Sequence, residues 1–527
     1  MEMVRRMRRA ALGCAAIALA AGMVASGPAY AQSAAARSTT VTVKADAPGA
    51  RIDRRIFSQF AEHLGTGIYG GIWVGANSRI PNTRGYRNDV VAALRNLKVP
   101  VVRWPGGCFA DEYHWREGIG PRNQRPTKVN THWGGVTEPN SFGTHEFMDF
   151  AELIGAEAYV SGNVGNGTPQ EMAEWVEYMT APAGSLADLR AKNGRKQPWK
   201  LPFFGLGNEL WGCGGNMTAE YAADLTRRYG TFVKAPQGTK IEKIASGANS
   251  VDYNWTEVMM REAGKTVDGI GVHYYTVPGT WEKKGPATNF SEEDYARTIS
   301  KTLLMDELVR KHSAIMDKYD PAKRVNLAVD EWGTWYDVEP GTNPGFLYQQ
   351  NTMRDAIVAA LNINIFTHYA DRVRMTNIAQ MVNVLQAMIL TDGPRMVLTP
   401  TYHVFEMYKG FQDATALPVE VASPWYNKEQ FTVPAVSATA ARDSTGAILI
   451  ALVNVDPNQP ASVSVDLGSA TASVAEGRVL AGANIGAHNS FDAPTQVQPA
   501  PFTGAQIAGN RLSATLPAGS VVVLKLR

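Results

Sequence analysis

The strongest indication of architecture is Phe203-Phe204-Gly205-Leu206-Gly207-Asn208-Glu209-Leu210-Trp211, matched farther along by Val325-Asn326-Leu327-Ala328-Val329-Asp330-Glu331-Trp332-Gly333. Each is an apolar run that reaches a glutamate beside glycine and aromatic residues. A buried strand that delivers a carboxyl group at its C-terminal end, next to tryptophan, is how a barrel enzyme presents an acid or a nucleophile to a sugar ring. The alternative is a pair of surface glutamates at strand ends.

The spacing of the two glutamates favours a closed barrel. Glu209 and Glu331 are 122 positions apart, and one strand-helix unit of an eight-fold barrel takes roughly 30 to 45 residues with its loops. Three such units fit between the glutamates. If Glu209 ends the fourth strand and Glu331 the seventh, both side chains point into the same mouth from opposite sides.

The rest of the chain supplies six further apolar, β-branched-rich runs, which is the pattern of strands buried on both faces. The eight predicted barrel strands are, in order, 56–60, 99–104, 158–162, the Glu209 strand, 243–248, 269–273, the Glu331 strand and 375–381. Helical periods lie at 172–179, 219–233, 294–319 and 349–366. This alternation predicts an α/β fold, a (β/α)8 TIM barrel over residues 56–410.

The C-terminal part has a different pattern. From about residue 411 the helical period disappears, and short runs at 436–440, 448–454, 462–467, 473–479 and 521–526 alternate with glycine, proline, asparagine and aspartate. Residues 411–527 are therefore predicted to form an antiparallel β-sandwich, jelly-roll-like in form. Segment 39–43 also alternates, so we expect the N-terminal segment 32–55 to pair with this sheet.

The first 31 residues have the pattern of a processing signal. Four arginines within residues 5–9 precede an apolar run at 10–24, and residues 29–31, Ala-Tyr-Ala, fit a small-x-small cleavage site. The pattern predicts a signal peptide over 1–31 and export to the periplasm or the medium.

Charge and composition exclude several classes of protein. Without residues 1–31 the chain carries 47 basic and 48 acidic residues, so it lacks the basic surface of a nucleic-acid binder. No segment after the signal has the apolar length of a membrane span, so no membrane contact is predicted. A neutral polysaccharide suits the balance better, and flat aromatic rings are its usual platform. Those near the predicted mouth are Trp73, Trp104, Trp115, Trp133, Trp211, Trp281, Trp332 and Trp335.

No metal and no cofactor is predicted. The nine histidines are scattered, without the short spacing to cysteine or carboxylate that marks a metal site. Gly205-Leu206-Gly207 lacks the third glycine and the following helix of a dinucleotide-binding loop. No Gly-x-Ser-x-Gly elbow supports a serine hydrolase.

Five motifs carry a resemblance to a known family. They are Arg103-Trp104-Pro105-Gly106-Gly107-Cys108-Phe109, Gly207-Asn208-Glu209, His273-Tyr274-Tyr275, Asp330-Glu331-Trp332 and Asn377-Ile378-Ala379-Gln380. In this order and spacing, from about residue 40 to the C-terminus, the chain resembles glycoside hydrolase family 51, best known for α-L-arabinofuranosidases. The resemblance implies a retaining enzyme with a catalytic barrel and a C-terminal β-sandwich, which is the organisation predicted above.

Carried over position by position, the resemblance makes Glu209 the general acid/base and Glu331 the nucleophile, with Asn208 hydrogen-bonded to the sugar 2-hydroxyl. The chemistry asks for the same pair, because retention requires two carboxyl groups about 5 to 5.5 Å apart, one ionised and one protonated. The charge of one carboxylate and partial desolvation would raise the pKa of the other. A structural pair of glutamates is the alternative.

The same mapping implies a shell of substrate-binding residues. Glu62 and Gln380 would bind furanose hydroxyls, and Arg103 would hold the two carboxylates by charge-assisted hydrogen bonds. Tyr275 would hydrogen-bond the nucleophile, and His273 would line the same wall. The alternative for His273 is a hydrogen-bonded barrel histidine, and the alternative for Glu62 is a helix-start acid.

Three further positions belong to this expected site. Trp133, in the loop after the second barrel strand, would form a lid or a platform for the aglycone. Cys108 stands where some relatives have asparagine, and Cys213 follows Glu209 closely. In an exported protein two cysteines at one barrel mouth are expected to form a disulfide. The alternative is two buried thiols.

These features predict an exported, retaining, exo-acting α-L-arabinofuranosidase that removes terminal arabinofuranosyl residues from arabinoxylan, arabinan or their oligosaccharides. An endo-acting β-1,4-glucanase or xylanase on the same scaffold is the nearer alternative, and an open cleft would indicate it. A non-catalytic carbohydrate-binding protein is the other. Members of the family often assemble, so we expect a homo-oligomer, a trimer or a hexamer.

Overall fold

Eight parallel strands close into a barrel in the computed structural model, which describes residues 38–527. The strands pair in chain order, and the last closes the barrel against the first. The predicted (β/α)8 barrel is therefore confirmed. Its strands are Ser58–Phe60, Val101–Trp104, Glu157–Gly162, Phe203–Leu206, Glu242–Asn249, Gly269–Thr276, Asn326–Thr334 and Val373–Ala379.

The barrel is a packed core rather than a channel, because its strands are buried on both faces. All nine residues of Asn326–Thr334 are buried, as are all four of Phe203–Leu206. Six strands each contribute one side chain to a cluster in the barrel interior, as expected for layered filling of a small barrel. The cluster consists of Val101, Tyr159, Phe203, Ile244, Ala328 and Met375.

Helices surround the barrel, and one differs from the predicted pattern. The predicted helix 294–319 is two helices that meet at Leu303. The Thr302 hydroxyl donates a hydrogen bond to the Thr298 carbonyl oxygen at 2.9 Å, and such back-bonding bends helices. None of the helices within residues 38–527 is both long and apolar enough to span a membrane. The α-helices are Asn88–Leu97, Thr144–Ile154, Pro169–Thr180, Ser185–Lys192, Ala219–Phe232, Tyr253–Ala263, Glu292–Thr302, Leu304–Tyr319, Met353–His368 and Pro400–Tyr408.

The C-terminal part is a sandwich of two sheets. One sheet has the order Val419–Ala422, Thr39–Val43, Ala461–Asp466, Arg511–Leu516 and Ala505–Ala508. The other has the order Thr415–Leu417, Val436–Arg442, Ile448–Asn454, Ser520–Leu526, Val474–Leu480 and Ala500–Pro501. Thr39–Val43 pairs in parallel with Ala461–Asp466, and the other pairs in these sheets are antiparallel.

The sandwich packs against the barrel through Met353–His368, a helix that is apolar on nearly all sides. A helix of that kind is buried between layers. Its Asn364 amide donates to the Ser437 hydroxyl at 3.0 Å, and the Thr367 and Thr439 hydroxyls lie 2.8 Å apart. The described residues, 38–527, belong to one compact unit. The sandwich therefore supports the helix that precedes the last barrel strand, which leads into Gln380.

Candidate active site

Glu209 lies in a tight turn three residues beyond the fourth barrel strand, rather than at the strand end. Its backbone φ is 42°, in the left-handed region that residues other than glycine rarely adopt and that is found at functional sites. The N–H groups of Gly212 and Gly214 donate to the Glu209 carbonyl oxygen at 2.7 and 3.1 Å. The turn brings the Glu209 carboxyl group against side chains of the sixth and seventh strands.

Glu331 has a more rigid position, inside the seventh strand. The strand continues three residues beyond it, to Thr334. The Arg103 guanidinium donates to Glu331 Oε1 at 2.7 Å, and the Tyr275 hydroxyl donates to Oε2 at 2.8 Å. The Glu331 side chain is only 7% exposed. Both of its oxygens are therefore held in place before any substrate binds.

His273 connects the two glutamates. Its Nδ1 lies 2.8 Å from Glu209 Oε1 and 3.6 Å from Glu331 Oε2, and its Nε2 lies 3.3 Å from Asp330 Oδ1. Burial by itself would lower the pKa of His273, but the charge of Glu331 and the hydrogen bonds to Asp330 and Glu209 raise the pKa to about 10. His273 is therefore an imidazolium at neutral pH, with Nδ1 hydrogen-bonded to Glu209 and Nε2 in an ion pair with Asp330.

The balance of charge favours a neutral Glu209. Burial raises the pKa of Glu209, the hydrogen bond from His273 opposes this, and the charge of Glu331 raises the pKa further. The two buried cations, Arg103 and His273, already face two carboxylates, Glu331 and Asp330. A third negative charge would be uncompensated, which favours the protonated form of Glu209.

Arg103 also fixes the amide of Asn208. Its Nη2 donates to Asn208 Oδ1 at 2.6 Å, so the Asn208 oxygen is occupied and its NH₂ group remains as a donor to a sugar hydroxyl. The Arg103 side chain is 1% exposed and lies over the Phe60 ring at 4.6 Å. The geometry brings Arg103, Asn208 and Glu331 together, but the expectation that Arg103 holds both glutamates is met only for Glu331, because its other ion pair is with Asp330 rather than Glu209.

Glu62, Gln380 and Trp133 form the opposite wall. The Gln380 amide donates to Glu62 Oε2 at 3.2 Å, and the Trp133 indole N–H and the Gly107 N–H donate to Oε1 at 2.9 and 3.0 Å. Burial raises the pKa of Glu62 to about 7, with a further contribution from the charge of Glu331 and opposition from the Trp133 and Phe109 hydrogen bonds. The loop that carries Trp133 is thus attached directly to the site.

Glycine is required where the loop after the second strand forms the floor of the site. A Cβ atom on Gly107 would lie 2.9 Å from Glu331 Oε1, and one on Gly106 would lie 2.8 Å from Glu62 Cγ. Either methyl group would displace a carboxyl side chain. The Gly106-Gly107 pair therefore allows the backbone to approach both acids.

Cys108 and Cys213 are joined by a disulfide in the structure, with an S–S distance of 2.09 Å and a Cα–Cα distance of 5.5 Å. Cys213 Sγ lies 3.6 Å from Glu209 Oε2 and 3.8 Å from Asn208 Nδ2. The bond connects the loop after the second strand with the turn that carries Glu209. Both cysteines are half-buried at the mouth of the barrel.

The barrel, the sandwich and this arrangement of carboxylates match one family. The model described as the α-L-arabinofuranosidase 1 domain matches residues 93–294, and that described as the α-L-arabinofuranosidase C-terminal domain matches residues 330–520. An intracellular exo-α-L-arabinofuranosidase of Bacteroides ovatus is 53% identical over 94% of this chain and 96% of its own length. The crystal structure of the family 51 arabinofuranosidase from Xanthomonas axonopodis pv. citri has a TM-score of 0.92 and 59% identity, over 93% of this chain and 100% of that one.

The chain belongs to glycoside hydrolase family 51. The resemblance carried by the five motifs is thereby confirmed, and the protein is a glycoside hydrolase.

The comparisons correct the expectation of export. The Bacteroides ovatus relative and an exo-α-(1→5)-L-arabinofuranosidase of Halalkalibacterium halodurans, 30% identical over 90% of this chain and 96% of its own length, are both named as intracellular. The prediction of a periplasmic or extracellular enzyme is therefore wrong. The signal-peptide interpretation rested on the composition of residues 1–31 alone, a weaker guide than similarity along nearly the whole chain, and those residues lie outside the described part.

A series of aromatic rings leads outward from Glu331 in this family 51 site. Tyr275, which contacts Glu331, lies 5.1 Å from Trp335 between ring centroids, and Trp335 lies 5.3 Å from Trp281. Trp281 is 57% exposed. Sequence reasoning placed these tryptophans near the mouth, and the structure shows that they continue the contact between Tyr275 and Glu331.

Sequence reasoning missed two buried aspartates. Asp330 accepts a hydrogen bond from the Tyr159 hydroxyl at 2.9 Å and contacts His273. Asp111 accepts from the N–H groups of Val164, Gly165 and Asn208 at 2.8, 3.0 and 2.8 Å. Asp330 belongs to the motif Asp330-Glu331-Trp332, so its position next to Glu331 could have identified it as a site residue. Nothing in the sequence around Asp111 indicates that its carboxylate holds the ends of two neighbouring strands.

We expect Asp111→Asn to lower the free energy of unfolding by about 2 to 4 kcal/mol, because an amide NH₂ group would face a backbone donor that the carboxylate now satisfies. Urea unfolding followed by circular dichroism measures the change. Asp149→Asn is the matched control, since Asp149 pairs with exposed Arg84, and a change below about 1 kcal/mol is expected there. Equal losses in the two variants would contradict this role for Asp111.

Two groups of side chains in residues 38–527 have the composition of a metal site. Their potential ligand atoms lie within 4.8 Å of one another, and the groups are Cys108, Glu209 and Cys213, and Glu209, His273 and Glu331. In the second group both nitrogens of His273 already contact carboxyl groups, so a metal ion there would have to break one of these contacts.

Proposed function

We propose that the protein is a retaining, exo-acting α-L-arabinofuranosidase in which Glu209 is the general acid/base and Glu331 the nucleophile. One observation carries the proposal: carboxylate oxygens of the two residues lie within 4.8 Å of each other. Retaining glycosidases have carboxyl groups about 5 to 5.5 Å apart, whereas inverting enzymes need about 6.5 to 9.5 Å to admit a water molecule. The two environments also differ as the mechanism requires. The Arg103 guanidinium stabilises the ionised form of Glu331, and the raised pKa of Glu209 favours its protonated form.

The reaction proceeds in two steps. Glu331 attacks the anomeric carbon while Glu209 gives its proton to the leaving glycosidic oxygen, which forms a glycosyl ester on Glu331. Because Glu209 Oε1 accepts a hydrogen bond from His273, the transferable proton lies on Oε2. Glu209 then removes a proton from water, and that water cleaves the ester from the face the aglycone left.

Recognition of the terminal sugar is assigned to the residues that line the floor and walls. The Asn208 NH₂ group donates to the 2-hydroxyl, and Glu62 with Gln380 binds the remaining furanose hydroxyls. Trp133 covers the sugar while it stays hydrogen-bonded to Glu62, and Trp335 and Trp281 receive the aglycone by ring stacking.

Substrate size follows from the named relatives. Two of them are exo-acting and intracellular by name, and an enzyme inside a cell meets oligosaccharides rather than intact polymers. We therefore assign arabinose-containing oligosaccharides, derived from arabinan or arabinoxylan, as the substrate. Assembly into a trimer or a hexamer stays a prediction.

Hydrolysis of 4-nitrophenyl α-L-arabinofuranoside by the purified protein tests the proposal. We expect turnover, with α-arabinofuranose as the first product seen by proton NMR, and arabinose as the only product from branched oligosaccharides. The matched control is 4-nitrophenyl β-D-xylopyranoside, which should be hydrolysed far more slowly. Inversion of configuration, or shortening of an unbranched xylan chain without release of arabinose, would contradict the proposal.

A further inference from the structure

The disulfide beside Glu209 is placed where its reduction would create a second kind of site. Cys108, Cys213 and Glu209 are all half-buried and face the same mouth. A reductant and a small cation that enter the mouth therefore reach all three side chains. The mechanism proposed above assigns no chemistry to the two sulfur atoms.

The distances fit a thiophilic divalent cation. With Zn–S of about 2.3 Å and Zn–O of about 2.0 Å, a sulfur and an oxygen ligand of tetrahedral zinc are about 3.5 Å apart, and two sulfurs about 3.7 Å apart. Cys213 Sγ already lies 3.6 Å from Glu209 Oε2. Once the bond between the two sulfurs is broken, side-chain rotation can bring them to ligand separation, since both already lie within 4.8 Å of a Glu209 oxygen.

We propose that reduction of the Cys108–Cys213 disulfide opens a site for Zn²⁺ or another thiophilic divalent cation, formed by the two thiolates and the Glu209 carboxylate, and that an ion bound there stops catalysis. Two thiolates and a carboxylate with one open position for water form a set that zinc accepts. The ion would occupy the carboxyl group that must otherwise give and take a proton.

Either a thiol or a phosphine can reduce the disulfide. Two small thiols do so by thiol–disulfide exchange and become joined as a disulfide themselves. A phosphine gives two electrons to the S–S bond and takes an oxygen atom from water, so one phosphine oxide and two protein thiols form. The two thiol protons leave when the metal binds, because thiolates are the ligands. Relatives of this chain are named as intracellular, and cytosolic thiols are kept reduced. The dithiol is therefore the form in which such an enzyme would meet its metal ions.

Neighbouring groups favour the set of Cys108, Cys213 and Glu209 as the metal site over the group that contains His273. Asn208 Nδ2 lies 3.8 Å from Cys213 Sγ and can donate to a thiolate there. The divalent ion itself offsets two of the three negative charges that the two thiolates and the carboxylate bring. The group of Glu209, His273 and Glu331 lacks a free nitrogen and would not replace it.

Cadmium titration of the purified full chain tests the site without relying on activity. The protein is reduced with a phosphine, desalted without oxygen, and titrated with Cd²⁺ while the ultraviolet cadmium–thiolate charge-transfer band is recorded. We expect one Cd²⁺ per chain in the reduced protein and loss of the band in the oxidised protein and in Cys213→Ser. Cys14, the third cysteine, is present in all samples, so the difference between Cys213→Ser and the wild type reports on Cys213 alone. An equal band in Cys213→Ser would overturn the proposal.

Two further experiments test Glu209 as the third ligand and the inhibition of catalysis by the bound ion. Glu209→Gln should bind Cd²⁺ more weakly than the reduced wild type, and unchanged affinity would remove Glu209 from the site. Zn²⁺ should abolish arabinofuranoside hydrolysis by the reduced protein, spare the oxidised protein, and be reversed by a chelator. This inhibition rests on the proposed function, whereas the band does not. A cadmium band without any arabinofuranosidase activity would therefore reject the function and retain the site.

Discussion

Replacing Glu331 with alanine is expected to lower kcat/KM for 4-nitrophenyl α-L-arabinofuranoside by on the order of 10⁴-fold or more, the scale of loss when the nucleophile of a covalent mechanism is removed. Asp330, the neighbouring carboxylate along the strand, is engaged by Tyr159 and His273, so it is not free to replace Glu331. Initial-rate kinetics on the purified variant measure the loss.

Azide provides a sharper version of this test. In Glu331→Ala a small anion enters the space left by the carboxylate and attacks the same face of the sugar, so we expect partial rescue with β-arabinofuranosyl azide as product. Glu157→Ala is the matched control, since Glu157 begins the third barrel strand and pairs with Arg55 and Lys200. Its kcat/KM should not change. Full activity in Glu331→Ala, or an α-azide from it, would assign the nucleophile elsewhere.

Replacing Glu209 with glutamine should have an effect that depends on the leaving group. For a poor leaving group such as an oligosaccharide the loss of the proton donor is expected to cost about 10²- to 10⁴-fold in kcat/KM. For 2,4-dinitrophenyl arabinofuranoside, whose phenolate leaves without protonation, kcat/KM should fall far less. Equal losses for the two substrates would indicate that Glu209 has a structural role instead.

The pH profile of the same variant provides an independent readout. The proton donor must be protonated, so wild-type activity should fall as pH rises through the raised pKa of Glu209, at a higher pH than for an exposed glutamate. With an activated substrate this basic limb should disappear in Glu209→Gln. The pKa of His273, about 10, lies too high to produce a limb near neutral pH. A limb that persists in the variant would belong to Glu62, whose pKa is about 7.

The barrel strands could be predicted because parallel strands buried on both faces leave continuous apolar runs in the sequence. Exposed sheet edges leave weaker patterns, so the edge strands Thr415–Leu417, Val419–Ala422 and Ala505–Ala508 were not predicted. The turn at Glu209 was also missed. Its left-handed backbone is imposed by hydrogen bonds from Gly212 and Gly214, and an apolar run ahead of it resembles a strand that continues to the glutamate.

The candidate site likewise has residues that the sequence predicts and contacts that it does not. Residues that follow a strand within a recognisable motif, such as Glu62, Asn208 and Gln380, were placed by sequence, and the structure brings them together. Contacts that depend on the register between strands could not be predicted from sequence. The link from His273 to Asp330 joins the sixth and seventh strands, and Asp111 joins the third and fourth. Neither distance can be obtained from spacing along the chain.

The N-terminal strand has a consequence for synthesis. Thr40 lies opposite Ser464 in the sandwich, so the two partners are separated by 424 positions and the ribosome must complete the entire barrel before the second one emerges. Contacts of such long range form late and slowly. Until residues 419–422 emerge, both edges of Thr39–Val43 lack their partners, and the edge that pairs with Ala461–Asp466 stays open longer still. An unpaired strand edge promotes association between nascent chains. Fragments that end before residue 461 would retain this open edge permanently, so a soluble isolated barrel requires removal of the first strand as well as of the sandwich.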